Sequence, residues 1–548
     1  MVSTNPRNLS SISSKSSIGF VSTRNGQLRI DFWRSIAQGI APDGGLLVPT
    51  ELPEIPKNIL ADKNFWENSG VSDFSSLLHR LFIPRKEIGD STLRRMMAKA
   101  HNFDLPLEKL DDRTFILRID NGPTASFKDV AARSLAALLD EYCNKFDTVI
   151  NIVVATSGDT GVAIADAFGG SDKITVSILY PSDGVSEIQE KQMLQVDRQY
   201  KNIQAIPVLG NFDVCQDVAK LLQGARELTL KDDRKITNFI KESKNKLGKT
   251  ISRNEAAEII KIVSALHLSS ANSINIWRLI PQMTQYFVAY GKLVRDRTIR
   301  PGDEIVFAVP SGNLGHLMAG LYAKTVGLPV KQFIIGTNTN NILANIIGSG
   351  TIKHHTFSKT SSPSMDILDP SNLERLLYLS ATQTKKQGKK TAVIDFIQMK
   401  NDIKKNFSVD SVIPIERYGV TKEMLEYLQN IIWAEDVETD EEVFAMMERV
   451  RRKNSLTLEP HGVTALIATI RARSKKAIQP SDVVVIMETA HPDKFPTSLA
   501  EANVKVPPSH KHPSLSKLAK IPISKMGRGT PVPVDLLLIA KKIKSISY

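Results

Sequence analysis

The sequence predicts an α/β protein, with parallel sheets and crossover helices in two main domains, plus an N-terminal helical subdomain. Three observations carry this. Short apolar runs at 149–155, 304–309 and 483–487 read as strands, the first nearly continuous as for a strand buried on both faces. The first two lead through a small-residue loop into a helical pattern and then into further apolar runs at 174–179 and 330–335, which is the order of a parallel sheet. A length of 548 residues also exceeds what one hydrophobic core fills, so two or three domains are expected.

Taken in order, residues 1–18 are expected to form a disordered tail. The first seventeen are rich in Ser and hold Arg7 and Lys15 with no acid. They bear a weak resemblance to an organellar transit peptide but lack a clear amphipathic helix, so an ordinary disordered tail fits at least as well; a secretory apolar core is missing, and a cytoplasmic protein is expected. Residues 19–105 read as the front subdomain: a strand from Phe20, a short helix, the turn Pro42-Asp43-Gly44-Gly45, and a helical stretch from Asn64 to Ala100 with Leu77, Leu78, Leu81 and Phe82 on one side. Residues 106–548 then supply two α/β lobes. Within them, 226–262 is rich in Lys, Asp, Glu and Asn and reads as an exposed helical insert. A C-terminal extension at 504–548 runs through several Pro and Ser to a last helix at 534–546.

Composition narrows the function. Hydrophobic residues make up 42% and charged residues 24% of the chain, as in soluble globular proteins, and no apolar run approaches a bilayer span, so no membrane partner is expected. Cys143 and Cys215 are the only cysteines; they make no disulfide framework, and no Cys/His cluster suggests a metal. The formal charge of +13 raises nucleic acid as a partner. The lysines are spread through 231–249, 385–390 and 541–544 without an aromatic-interleaved basic stripe, so a solvated surface is expected instead.

The chain is organised around Asn121-Gly122-Pro123-Thr124-Ala125-Ser126-Phe127-Lys128-Asp129. A Gly-Pro break, small side chains and one lysine precede a helical pattern. An amine at that junction loses solvation and sits beside helix-start N–H dipoles. Both effects lower its pKa, which suits a Schiff-base lysine. Taken alone, the residue also fits a surface lysine opening a helix.

Three loops follow predicted strands. Gly312-Asn313-Leu314-Gly315 opens a helix, and its glycines let N–H groups approach an anion such as a phosphate. Thr156-Ser157-Gly158-Asp159-Thr160-Gly161 has the same architecture and suits a carboxylate; an N-cap by Ser157 or Asp159 explains it equally. Thr489 offers a hydroxyl to a ring nitrogen, or is structural. His461 and His491 read as buried, hydrogen-bonded groups beside prolines, with acid–base work as the alternative. Ser186 with Gln189 three residues later is a capping-box signature. Lys191 and Arg278 are candidates for a substrate phosphate or for ordinary ion pairs.

In that order these motifs, with Leu179-Tyr180-Pro181, Gly210-Asn211-Phe212-Asp213, Ser362-Pro363-Ser364-Met365-Asp366 and Glu459-Pro460-His461, make the chain resemble the threonine synthase family. The resemblance implies a pyridoxal 5'-phosphate enzyme of fold type II, the tryptophan-synthase-β-like group, as a monomer or homodimer. It implies that Lys128 carries the cofactor as a Schiff base. Gly312, Asn313, Leu314 and Gly315 would hold the cofactor phosphate, and Thr489 would face the pyridine nitrogen. Thr156, Ser157, Gly158, Asp159 and Thr160 would hold the substrate carboxylate, with Asp159 turned to the cofactor's phenolic oxygen or a backbone donor. Ser186, Lys191, Asn275 and Arg278 would bind a small phosphorylated amino acid. The implied reaction turns O-phospho-L-homoserine and water into L-threonine and phosphate. The alternatives are a phospho-lyase releasing a 2-oxo acid, ammonia and phosphate, and a non-catalytic binding relative. The chain departs from the family pattern at Asn121, usually His, at Leu314 and His316, usually Phe and Asp, and at Ile276-Trp277, usually Trp-Ala.

Overall fold

A computed structural model describes residues 18–226, 228–353, 356–386, 393–404 and 411–547. The expected tail therefore lies almost wholly outside the described residues, as does most of 385–390. Contacts divide the chain into two units. The first takes in the described part of Met1–Phe32, Ala41–Phe127 and Leu279–His512; the second is Trp33–Ile40, Lys128–Arg278 and Pro513–Tyr548. The chain passes from one to the other between Phe127 and Lys128.

The first unit is built on a six-stranded sheet. Its order is Ile432–Asp436, Val330–Thr337, Ile305–Pro310, Val484–Glu488, Thr114–Arg118, Leu107–Lys109. All neighbours are parallel except the last pair. The apolar runs at 304–309, 330–335 and 483–487 thus fall on adjacent interior strands, and their side chains are buried on both faces except near the start of Val330–Thr337. Val306, Ala308, Ile334, Val484 and Ile486 pack under the helix Pro460–Ser474 through Val463, Ala465, Leu466 and Ile467. Full burial at roughly 25 cal/mol per Å2 makes each such Val, Leu or Ile side chain worth about 1.5–3 kcal/mol. The front segment contributes a three-stranded antiparallel sheet, Arg29–Ile30, Phe20–Ser22 and Leu47–Pro49, and helices Val71–Arg80 and Asp90–Ala100. Leu77, Leu78, Leu81 and Phe82 are all buried, as their spacing required.

The second unit holds a four-stranded parallel sheet in the order Ile203–Val208, Ile174–Pro181, Ile150–Ala155, Leu268–Ser269. The helices Lys128–Phe146, Asp159–Phe168 and Glu187–Gln199 belong to the same unit. Segment 226–262 corrects one expectation. It is helical, at Asp233–Leu247 and from Arg253, but not simply exposed. Ile236, Phe239, Ala256, Ile259, Ile260 and Val263 form one buried cluster with Leu536, Ile539, Ala540 and Ile543 of the last helix. The polar composition of the segment masked an apolar stripe at helical spacing, and the C-terminal helix supplies its partner.

Candidate active site

Lys128 opens a 19-residue helix, at the junction the sequence marked. The residues that precede it belong to the first unit and are bonded within it. Ala125 takes a left-handed backbone, φ 58°, and its N–H donates to the Gly122 carbonyl at 2.9 Å. Phe127 N–H donates to the Thr489 carbonyl at 2.9 Å, His491 N–H donates to the Ala125 carbonyl at 3.1 Å, and Gln285 Nε2 donates to the Phe127 carbonyl at 2.9 Å. Each of these bonds fixes the backbone of 125–127 within the first unit.

Within the second unit, Lys128 Nζ lies 3.6 Å from Asp159 Oδ2, with the lysine side chain 14% exposed and the aspartate 2%. Asp159 Oδ1 accepts from Gln189 Nε2 at 2.8 Å. Gln189 Oε1 in turn accepts from Ser186 Oγ at 3.0 Å and Ser186 N–H at 3.2 Å. An ion pair from the lysine to the 156–161 loop is therefore continued by hydrogen bonds from Asp159 through Gln189 to the start of the helix Glu187–Gln199. The Ser186 and Gln189 capping box forms as its spacing predicts. The partner of Asp159 was not foreseen: only the fold brings Gln189 back to a residue thirty positions earlier.

Neither Ser157 nor Asp159 caps the helix Asp159–Phe168. Gly158 stands at the cap, φ 134°, and the Thr156 hydroxyl does the capping work. Thr156 Oγ1 accepts from Gly158 N–H at 2.9 Å and Gly161 N–H at 2.8 Å. A Cβ at Gly158 would stand 2.4 Å from the Gln189 amide, so the loop closes this tightly only with glycine there. The N–H groups of Ser157 and Thr160 meet no acceptor among the described residues, and they sit at a helix N-terminus that favours an anion.

The proposed substrate-phosphate residues are all in this unit. Lys191 is buried and pairs with Glu187 Oε1 at 2.6 Å. Arg278 is buried, donates to the Ala271 carbonyl, and is pushed down to about 10 by burial. Asn275 uses its amide inside the fold. Its Nδ2 donates to the Ser270 carbonyl at 3.0 Å and its Oδ1 accepts from Trp277 N–H at 3.0 Å. The displaced Trp277 is buried too, with Nε1 donating to Ser35 Oγ at 2.8 Å.

In the first unit, strands Ile305–Pro310 and Val484–Glu488 are parallel neighbours, about 4.8 Å apart. The Gly312–Gly315 loop and Thr489 therefore leave the same edge of one sheet. The N–H groups of Gly312, Asn313, Leu314 and Gly315 meet no acceptor among the described residues, although all precede or open a helix. The loop is held from behind. Asn313 Oδ1 accepts from Ser371 N–H and Oγ at 3.2 and 3.1 Å, and the Asn313 carbonyl accepts from Asn372 Nδ2 at 3.0 Å. A Cβ at Gly312 would stand 2.9 Å from Met365 Cα and from the Ser364 carbonyl. His316 packs between Phe127 and Tyr286, 5.1 Å from each ring. Asn121 is exposed and donates to the Asp104 carbonyl at 3.0 Å.

Behind Thr489 lies a buried cluster that no motif announced as a unit. Thr489 Oγ1 donates to Glu459 Oε1 at 3.0 Å. Glu459 is the N-cap of Pro460–Ser474, and His461 Nδ1 lies 2.5 Å from its Oε2. Glu459 N–H donates to Glu488 Oε1 at 2.7 Å, and Arg118 NH1 stands 3.9 Å from that oxygen. Glu459-Pro460-His461 was visible as a motif; its pairing with Glu488 needed the sheet. His461 is thus a buried, hydrogen-bonded histidine, one of the two readings its sequence allowed.

The fold and these strand-end loops define the class: pyridoxal phosphate enzymes of fold type II. A crystal structure of pyridoxal phosphate-bound threonine synthase from Brucella melitensis superposes with a TM-score of 0.74 at 29% identity, covering 97% of this chain and 100% of that one. The yeast threonine synthase crystal structure gives 0.75 at 27% identity, covering 97% and 99%. Residues 19–101 match the family model described as the threonine synthase N terminus. The threonine synthase of Saccharomyces cerevisiae is 31% identical over 500 residues, 86% of each chain. The chain belongs to the threonine synthase family. No helix among the described residues is long and apolar enough to cross a membrane.

Proposed function

We propose that this protein converts O-phospho-L-homoserine and water to L-threonine and phosphate, using pyridoxal 5'-phosphate. The observation that carries the reading is Lys128 Nζ at 3.6 Å from Asp159, in the loop at a helix start whose N–H groups suit a carboxylate. The residues present fit the cofactor: a primary amine with a buried acid beside it, four consecutive N–H donors at 312–315, and a hydroxyl at Thr489 on the same sheet edge. When bound, pyridoxal phosphate supplies an aldehyde that condenses with amines and a ring that takes up electron density.

The protein's own groups do the rest. Lys128 tethers the aldehyde and, once displaced by the substrate amine, is the base that moves protons at substrate Cα and Cβ. Asp159 keeps the lysine oriented, and Gln189 keeps Asp159 oriented. The N–H groups at 312–315 hold the cofactor phosphate, and Thr489 meets the ring nitrogen. Thr156 shapes the 156–161 loop so that the N–H groups of Ser157 and Thr160 take the substrate carboxylate. Lys191 and Arg278 offer positive charge to the substrate phosphate as it leaves, with Ser186 as a further donor. Asn275 acts by holding the turn that carries Arg278. A cytoplasmic, reducing setting suits the free, buried thiols of Cys143 and Cys215, and a monomer or homodimer would serve the chemistry equally.

Incubation with phosphohomoserine and cofactor, with separation of threonine from 2-oxobutyrate, tests the reading. Threonine and phosphate in equal amounts are expected. Phosphate with 2-oxobutyrate and ammonia would make the protein a phospho-lyase instead.

A further inference from the structure

The 312–315 loop contains one residue whose backbone is out of character. Leu314 lies in the left-handed region, φ 61° and ψ 0°, and its side chain is buried. A β-carbon makes that region costly, and leucine has no polar group to offset the cost by a local hydrogen bond.

The peptide before it carries the cause. The Asn313 carbonyl accepts twice from one residue, from Asn372 N–H at 3.2 Å and from Asn372 Nδ2 at 3.0 Å. The Asn372 amide cannot be turned round. Arg375 Nη1, which only donates, lies 2.7 Å from Oδ1, so Nδ2 is the atom left to face Asn313. Asn313 is gripped by its side chain as well, since Ser371 N–H and Oγ donate to its Oδ1 at 3.2 and 3.1 Å. In a trans peptide the carbonyl and the following N–H point in opposite directions. With the Asn313 carbonyl drawn to Asn372, Leu314 N–H is turned to the other side. A left-handed residue in a turn then brings successive N–H groups toward a common point, the kind of concavity that seats an anion.

The clamp has its own anchor. Asn372 and Arg375 are fully buried, and Arg375 Nε donates to the Leu47 carbonyl of the front sheet at 3.0 Å. Beside it Glu374, also fully buried, accepts from Arg24 Nε and Nη2 at 3.1 Å each, from Lys400 Nζ at 2.8 Å and from the Thr23 hydroxyl. The start of the helix Leu373–Lys386 is thus tied to the front sheet on one side and to the 312–315 loop on the other.

We infer that Ser371 and Asn372 are positioning residues: by holding Asn313 from behind they impose the left-handed turn at Leu314, and so set the affinity of the 312–315 N–H groups for the cofactor phosphate. The inference rests on the proposed assignment of that loop to the phosphate of pyridoxal 5'-phosphate. It makes the front sheet, through Arg375, part of the support of the cofactor site.

The experiment reads cofactor affinity by titration of the full-length apo-protein, the 31P NMR line of the bound cofactor, and urea unfolding of the apo-protein. In Asn372→Asp one oxygen still accepts from Arg375, so apo stability should change little. The other oxygen meets the Asn313 carbonyl, acceptor against acceptor. Affinity should fall about 10-fold or more, and the 31P line should move toward that of free cofactor. Lys400→Ala, which loosens Glu374 without touching Asn372, should leave the line in place. Wild-type affinity and line in Asn372→Asp, while Gly312→Ala weakens binding, overturn the inference and leave the loop as the phosphate seat. No change in Gly312→Ala removes the loop from the phosphate, and the inference with it. A line that moves as far in Lys400→Ala as in Asn372→Asp would reduce the effect to general loosening of the helix start and overturn the inference. Should Asn372→Asp not fold, Ser371→Ala, which takes one donor from Asn313 Oδ1, should move the line the same way by a smaller step; an unmoved line there overturns the inference.

Discussion

Lys128 and Asp159 place a primary amine against a buried carboxylate that is supported from behind, with Nζ 3.6 Å from Oδ2 and Gln189 holding the other carboxylate oxygen. The arrangement gives the lysine a fixed direction while leaving its amine on the loop side of the helix start.

Lys128→Ala is expected to lower threonine formation by about 1,000-fold or more, because it removes both the tether and the base. It leaves Asp159 with Gln189 but without its cation, at a cost of roughly 1–3 kcal/mol, so the fold should survive. The absorbance near about 410–420 nm expected of cofactor tethered to a lysine should vanish. Substantial threonine from this variant would contradict the assignment.

Gly312→Ala should weaken cofactor binding. The added methyl meets backbone on the far side, Met365 Cα and the Ser364 carbonyl, each 2.9 Å away, and neither can swing aside like a side-chain tip. Overpacking of this kind costs about 1–3 kcal/mol, or roughly 10- to 100-fold in affinity if the loop alone distorts. Titration of apo-protein with pyridoxal phosphate measures it; unchanged affinity would detach the loop from the cofactor phosphate.

Arg278→Ala should raise KM for phosphohomoserine by roughly 10- to 100-fold, the worth of a charge-assisted hydrogen bond of about 1.5–3 kcal/mol. Cofactor affinity should change much less. Equal weakening of both would mean that the substitution acts by loosening the Ala271 segment to which the guanidinium is bonded.

His491 predicts acid sensitivity. Its Nε2–H donates to the His510 carbonyl at 2.9 Å and its Nδ1 accepts from Asp493 N–H at 3.2 Å. Burial, and then Arg118, His512 and Lys494, lower it from 6.5 to about 3. The folded state therefore binds the proton more weakly than the unfolded chain. The resulting stability is complete above pH 6.5 and is lost as pH falls through that window toward 3, about 3 kcal/mol of it by pH 4. Urea unfolding of wild type and His491→Gln from pH 4 to 7 should show a flatter acid limb for the variant; parallel limbs would point to another group.

What was legible came from chemistry acting over a few residues. The interior strands showed themselves because a parallel strand covered on both faces needs an unbroken apolar run. Ser186 and Gln189 showed their capping box, and the Gly-Pro break showed the helix start at Lys128, because such bonds close within three or four positions. The short strands Leu268–Ser269 and Leu107–Lys109 carried too few residues for any pattern to register.

The sequence by itself showed the main strand–loop–helix units, the helix start at Lys128 and the strand-end positions of the two glycine loops. Tertiary structure alone decided which groups those loops answer to. It chose Thr156 over Ser157 and Asp159 as the cap, returned Gln189 to Asp159, buried one face of 226–262 against the last helix, and put Glu459 and Glu488 side by side behind Thr489. The reason is physical. A bond between neighbours along the chain is constrained by local backbone geometry, whereas partners thirty or three hundred residues apart meet only after strand order has been chosen. That choice is made by the packing of whole apolar faces, not by any one residue.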